Sequence, residues 1–136
     1  MYLILIFSMI FMHYIGDYII QTDFISKSKN SNFWKDKEKM YKYDYIPILF
    51  FHSFSWSFCI HIPLIWLLTT GVYDKTDTFI VAISIIINAF IHMIIDNLKA
   101  NVGTINLIID QIIHIFQIIV VFIIFYSRNL DILGGL

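Results

Sequence analysis

HMIIDNLKANVGTINLIIDQIIH, residues 92–114, decides the fold. Its centre is a short polar turn, and the sequence on either side is a mirror image. His92 and Asp96 lie four residues apart before the turn, and Asp110 and His114 lie four apart after it. That spacing puts both members of each pair on one helix face, one turn apart. The order reverses from H-x-x-x-D to D-x-x-x-H, as two antiparallel helices require if Asp is to meet Asp and His is to meet His. Extended outward, each arm becomes an apolar run of the length a helix needs to cross a bilayer, about 20 residues. The runs cover about 78–98 and 107–126. Two more lie upstream, at about 1–20 and 45–70, separated by a polar loop over 21–44. Pro47 suits a first helical turn, and Pro63 is expected to kink the second span. The chain reads as an all-α, integral membrane four-helix bundle, a single membrane domain over 1–136.

Composition agrees. Of 136 residues, 59% are hydrophobic and 14% charged, where a soluble domain is about a quarter charged. Such a chain is neither water-soluble nor disordered. Nine Lys and Arg against ten Asp and Glu leave no basic excess for nucleic acid. Cys59 is the single cysteine, so an internal disulfide and zinc-ribbon spacing are both absent. The first span lacks a basic start and a small-residue cleavage site, and it carries His13 and Asp17. It is expected to be a structural span and not a cleavable signal.

Six lysines fall in the loop 21–44, and Lys99 falls in the connection between spans three and four. Only Lys75 and Arg128 lie on the other side. The positive-inside rule places loop 21–44 in the cytoplasm and both termini outside, in a bacterial inner membrane. The loop itself reads as a solvated connection, with Phe33 and Trp34 as interfacial anchors.

Seven ionisable residues enter the spans: His13 and Asp17, His52, His92 and Asp96, Asp110 and His114. At 1.5 Å per residue, the four histidines come out roughly 10 Å inside the cytoplasmic boundary and the aspartates about one turn shallower. Unrelated polar residues have no reason to fall into two layers on one side, so one site is expected. Gln21, Asn88, Asn106 and Gln117 extend the same faces, either orienting the imidazoles or making interhelical hydrogen bonds. His61 lies off the His52 face and deeper, and reads as a structural histidine. Cys59 reads as a small buried apolar residue.

Imidazole and carboxylate are ligands for zinc foremost, and also for iron and manganese. Seven candidates leave room for two metals. H-E-x-x-H is absent, and so is the E-x-x-H pattern of di-iron bundles, because Glu38 is the single glutamate. Haem needs no carboxylate beside its histidines. Asp/His chains also serve as proton relays. Three function classes therefore stay open: metal-dependent hydrolysis of a lipid or other phosphoester, a proton- or metal-coupled transporter or pore, and a structural membrane partner. In the first, Asp17, Asp96 and Asp110 are the catalytic carboxylates, membrane lipid is the partner, and Lys99, with Lys27, attracts a phosphate. Lys99 serves equally as a positive-inside anchor. Self-association into a homo-oligomer is left open.

HYIGDYIIQTD at 13–23, His52, HMIIDNLK at 92–99 and DQIIH at 110–114 resemble a group of small bacterial and phage multispan proteins of unassigned function. That group carries H-x-x-G-D-x-x-x-Q-[TP]-D, a histidine in its second span, H-x-x-x-D-x-x-K and D-Q-x-x-H. The resemblance spans nearly the whole chain and implies a membrane protein. Its matched positions imply His13, Asp17, His52, His92, Asp96, Asp110 and His114 as metal ligands, with Gln21, Lys99 and Gln111 in support. The repeated H-x-x-x-D also resembles membrane-bound metal-dependent hydrolases and the helical zinc phospholipase C and P1 nuclease group, whose remaining ligands this chain lacks.

Overall fold

The computed structural model describes residues 2–71 and 73–130. The tail from Asp131 onward lies outside the described residues. Among the described residues, four helices are long and apolar enough to cross a membrane. Helix α1 (Tyr2–Tyr14) continues through a π turn, Ile15–Ile19. The following segment holds α2 (Asp23–Ser28) and two 3-10 turns, Ser31–Trp34 and Lys39–Tyr41. Helix α3 is Tyr45–Leu68, and it stays helical through Pro63. Helix α4 (Lys75–Asn97) runs into a second π turn, Leu98–Val102. Gly103 ends that turn at φ 72°, a left-handed conformation that a residue without Cβ adopts at least cost. Helix α5 is Leu107–Arg128.

Local chemistry sets two of these starts. Asp74 and Asp77 form a reciprocal capping box, each carboxylate taking the other's backbone amide, so α4 begins at Lys75 and not at the expected Thr78. The Asp77 amide holds the Asp74 carboxyl below its ordinary value. Asn106 accepts from the Ile109 amide at 3.0 Å and caps α5. The expectation that it extends the polar face of span four is thereby corrected: its side chain is committed to the helix end.

The long helices form a closed ring in which α3 and α5 each pack against both α1 and α4. Leu5, Met9, Trp56, Ile60, Leu64, Val81, Ile118, Val121 and Phe125 fill the half of the bundle towards Tyr2 and Arg128. Ile4, Phe7, Phe79 and Phe116 point outward, as lipid-facing residues do. Hydrocarbon is as apolar as leucine, so close packing holds such helices together. Gly16 marks the closest approach: a Cβ there would stand 3.3 Å from the Trp56 Cα and the Cys59 Cβ.

The segment after α1 departs from its reading as a solvated connection. Asn30 Nδ2 donates to the Ala100 carbonyl at 2.7 Å, and Asn101 Oδ1 accepts from the Ser31 amide at 2.7 Å. Asn101 Nδ2 donates to the Lys29 carbonyl, and Trp34 Nε1 to the Ser28 carbonyl. These bonds fold the first half of the segment over the end of the bundle and bury Lys29. A lysine is rarely buried without a partner. Lys29 has two.

Candidate metal centre

All seven sequence-predicted ionisable residues are buried, and they come together at the loop end of the bundle. Asp17 sits in the first π turn, and Asp96 is the penultimate residue of α4, which runs directly into the second. Such turns are frequent at functional sites.

Trp56 floors the site. Its ring stacks on His92 with centroids 4.1 Å apart, and His92 stacks on His114 at 4.0 Å. The indole Nε1–H donates to His13 Nδ1 at 2.8 Å. His13 Nδ1 is therefore an acceptor, and its proton resides on Nε2, which donates to Gln111 Oε1 at 3.0 Å. The same amide then presents Nε2 to Asp17 Oδ2 at 2.9 Å and to Asp110 Oδ2 at 3.1 Å. Both His13 nitrogens are thus engaged, and its place is at the edge of the cluster, where it fixes Gln111.

At the centre, His52 Nε2 faces His92 Nε2 at 3.3 Å, Asp17 Oδ1 at 3.4 Å and Asp96 Oδ2 at 3.3 Å. His92 Nε2 lies 3.8 Å from the same Asp96 oxygen. Zinc bonds of 2.0–2.1 Å in a tetrahedron put the ligand atoms about 3.3 Å apart. Asp17, His52 and His92 each contribute a ligand atom within 4.8 Å of the others, and His92, Asp96 and His114 form a second such group. In the second, His114 Nε2 stands 3.3 Å from Asp110 Oδ1 and 3.7 Å from Asp96 Oδ1. Among the described residues, those three atoms, His92 Nδ1 and Ser53 Oγ are buried with no hydrogen-bond partner. Orphans of this kind are uncommon in native interiors and mark a place for a water or an ion.

Two ammonium groups border the carboxylates. Lys29 Nζ donates to Asp96 Oδ2 at 2.6 Å and to Gln21 Oε1 at 3.0 Å. Lys99 pairs with Asp110 and lies 3.9 Å from Asp96 Oδ1. Three carboxylates against two ammoniums leave one negative charge without a counterion when the histidines are neutral. Lys29 and Trp56 are the site residues that sequence reasoning missed. Six lysines in one polar loop look alike, and no spacing distinguishes the one that folds inward. A cleft of about 290 Å³, lined by Asp17, Gln21, Lys29 and Lys99 among others, gives the site its opening at this end.

His114 Nδ1–H donates to Gln117 Oε1 at 3.3 Å, and the Gln117 amide Nε2 donates to Asn88 Oδ1 at 3.1 Å. His61 lies apart from the cluster. Its Nδ1–H donates to the Ser57 carbonyl at 2.7 Å, and Nε2 meets Ser84 Oγ at 2.7 Å. Both its nitrogens are satisfied by neighbours, as its off-face position implies.

The chain belongs to the family described as a protein of unknown function, DUF3307, whose model matches residues 5–133. The resemblance to a family of unassigned function, drawn above from the four motifs, agrees with that membership. No curated protein and no solved structure matches the chain.

Proposed function

We propose that the protein is a metal-dependent hydrolase of a membrane-lipid phosphoester, with zinc the first metal to test. The observation that carries this reading is the convergence of Asp17, His52 and His92 ligand atoms. Three protein ligands is the number in a catalytic zinc site, which keeps another position for water or substrate. A metal held there would supply a bound water of pKa lowered to about 7. Asp96 Oδ2, close to both His52 and His92, would take the proton from that water. Lys29 holds this carboxylate oxygen, and His114 faces the other at 3.7 Å. Asp110 anchors Lys99, which with Lys29 gives the cleft two positive groups for a phosphate. His92, Asp96 and His114 are the residues that would hold a second ion.

The apolar half of the bundle favours hydrolysis over transport. Met9, Ile60, Leu64 and Ile118 are fully buried beyond the Trp56 floor, so the cluster opens towards the loops and is closed on the other side. An ion path through the bundle would have to cross that packed layer.

Elemental analysis of the purified protein is the first test, followed by a panel of phospholipids and polyprenyl phosphates with added zinc, manganese or magnesium. Wild type is expected to retain metal and to release a phosphate product that Asp17→Asn does not. Protein that stays folded with no metal under all three additions, and reconstituted vesicles that pass protons or metal ions, would replace this reading with the transporter. The orientation, loops inside and termini outside, is proposed from the lysine distribution. Cysteines at Ser31 and Lys75 should then show protection and labelling, respectively, with an impermeant thiol reagent in intact cells.

A further inference from the structure

A hollow on the bundle's outer face adjoins the lysine cleft. It lies along α5, under the π turn that continues α1, and is almost wholly apolar, about 560 Å³, with Ile112, Phe116 and Ile119 along it and Gln111 and Tyr18 on its wall. Tyr18 and Leu107 line this groove and also the cleft that holds Asp17, Lys29 and Lys99, so the two hollows adjoin at these side chains. Gln111, on the groove's wall, is the amide that joins His13, Asp17 and Asp110.

The other large apolar hollow lacks this continuity. It lies between α1 and α3, around Ser8, Phe11, Ile62 and Trp66, and has none of the buried carboxylates or lysines on its wall. An apolar hollow on a membrane protein faces lipid in any case, so the α1/α3 hollow carries nothing. What separates the α1/α5 groove from it is its charged neighbour, the cleft with two ammonium groups beside the candidate metal ligands.

We infer that the α1/α5 groove is the chain subsite of the proposed hydrolase, and that its substrate is a lipid phosphate presented with one long hydrocarbon chain in the groove and its phosphate between Lys29 and Lys99. This inference rests on the proposed function for the chemistry at the phosphate, and on the wall of Tyr18 and Leu107 that the two hollows share for the chain. A soluble phosphoester fills the cleft alone and leaves the groove to bulk lipid. An amphiphile fills both, and holding its chain fixes the phosphate against the site, which is how binding energy remote from the reacting bond aids reaction.

A diazirine-bearing hexadecyl phosphate in phosphatidylcholine nanodiscs tests it, with crosslinked peptides mapped by mass spectrometry. Labelling is expected to concentrate on the Ile112–Ile119 face and to fall about tenfold with excess hexadecyl phosphate. Hexadecanol and inorganic phosphate, at the same concentration, should each leave it nearly unchanged. Ile112 is 63% exposed, so Ile112→Trp narrows the groove without disturbing the core and should also cut labelling about tenfold. Ser8→Trp, in the α1/α3 hollow, should not. Labelling spread evenly over all lipid-facing helices, or competed equally by hexadecanol, overturns the inference. So does an Ile112→Trp protein whose labelling is unchanged, or whose detergent-solubilised mass is halved, since the latter makes the groove a contact between two copies. Metal content, measured on the same samples, separates the two claims. Phosphate-dependent labelling of metal-free protein leaves the groove standing and removes the hydrolase.

Discussion

The same four helices bury two different interiors. Towards Tyr2 and Arg128 the ring closes on Leu5, Ile60, Leu64, Val81, Val121 and Phe125, and the one histidine there, His61, has both nitrogens hydrogen-bonded. Towards the loops it closes on four histidines, three aspartates and two lysines, and four of their buried nitrogen and oxygen atoms have no hydrogen-bond partner. The first interior is complete as packed. The second gathers three carboxylates against two ammonium groups, and a buried polar group left unpaired costs more than a satisfied one contributes. Packing explains the first half; the second keeps donor atoms that packing does not use.

Asp96 is where the comparison breaks most sharply. It meets Lys29, His52, His92 and His114. Asp96→Asn should abolish phosphate release while Asp17, His52 and His92 keep the metal, and lower stability by about 3–5 kcal/mol because Lys29 is left buried beside a neutral amide. Adding Lys29→Met removes that uncompensated charge. The double variant should regain most of the thermal stability and none of the turnover. Full turnover in either variant would show that Asp96 is not the proton acceptor.

An equally large loss of stability, with the opposite signature, is expected from the apolar half. Leu64 is fully buried, and Leu64→Ala should cost about 2–5 kcal/mol through the cavity it leaves. Metal and turnover per folded molecule should stay at the wild-type values. A drop in either would mean that the two interiors are one cooperative unit.

How much of this was readable in the sequence follows from which interactions are local. The spans show in hydrophobicity, and the His/Asp pairs show because four residues is one helical turn. Their meeting could be anticipated, since the D-x-x-x-H reversal only makes sense across an antiparallel pair. Lys29 could not be picked out, because its burial depends on Asn30 and Asn101 tying the loop to the end of α4. The π turns were equally hidden, as no residue pattern announces them. No spacing singles out Trp56, whose indole fixes the tautomer of His13, a role visible only once α1 and α3 are side by side. Asn106 could have been read correctly: an asparagine just before an apolar run is a helix start signal.

Gln111 tests whether the hydrogen-bond chain positions the site. It accepts from His13 and donates to Asp17 and Asp110, and the proposed metal ligand in this set is Asp17. Losing such a supporting partner typically weakens metal binding about 10–100-fold. Gln111→Leu should do so with stability nearly retained, read by chelator competition. Gln111→Glu keeps an acceptor for His13 but sets a third carboxylate beside Asp17 and Asp110, so it should not restore the affinity. An unchanged affinity in Gln111→Leu would confine Gln111 to holding α1 against α5.

The smallest effect is expected at the far end, where Arg128 closes α5 onto α4. Arg128 Nε donates to Asp77 Oδ1 at 2.7 Å, and its Nη2 lies 3.3 Å from Asp74 Oδ2. The pair looks strong by distance, but Arg128 is 38% exposed on its side chain, and exposed ion pairs contribute about 0.2–1 kcal/mol. Asp77 also keeps the Asn129 amide and the Asp74 backbone N–H when the guanidinium is removed. Arg128→Ala should therefore lower the thermal midpoint only slightly, with metal content and chelator competition unchanged. High salt should shrink the difference further, because screening acts on the charge pair and not on the remaining hydrogen bonds. A loss of metal from this variant would be the informative surprise. It would mean that closing α5 at one end sets the position of Asp110 and His114 at the other, through a helix whose middle third is packed against the apolar core.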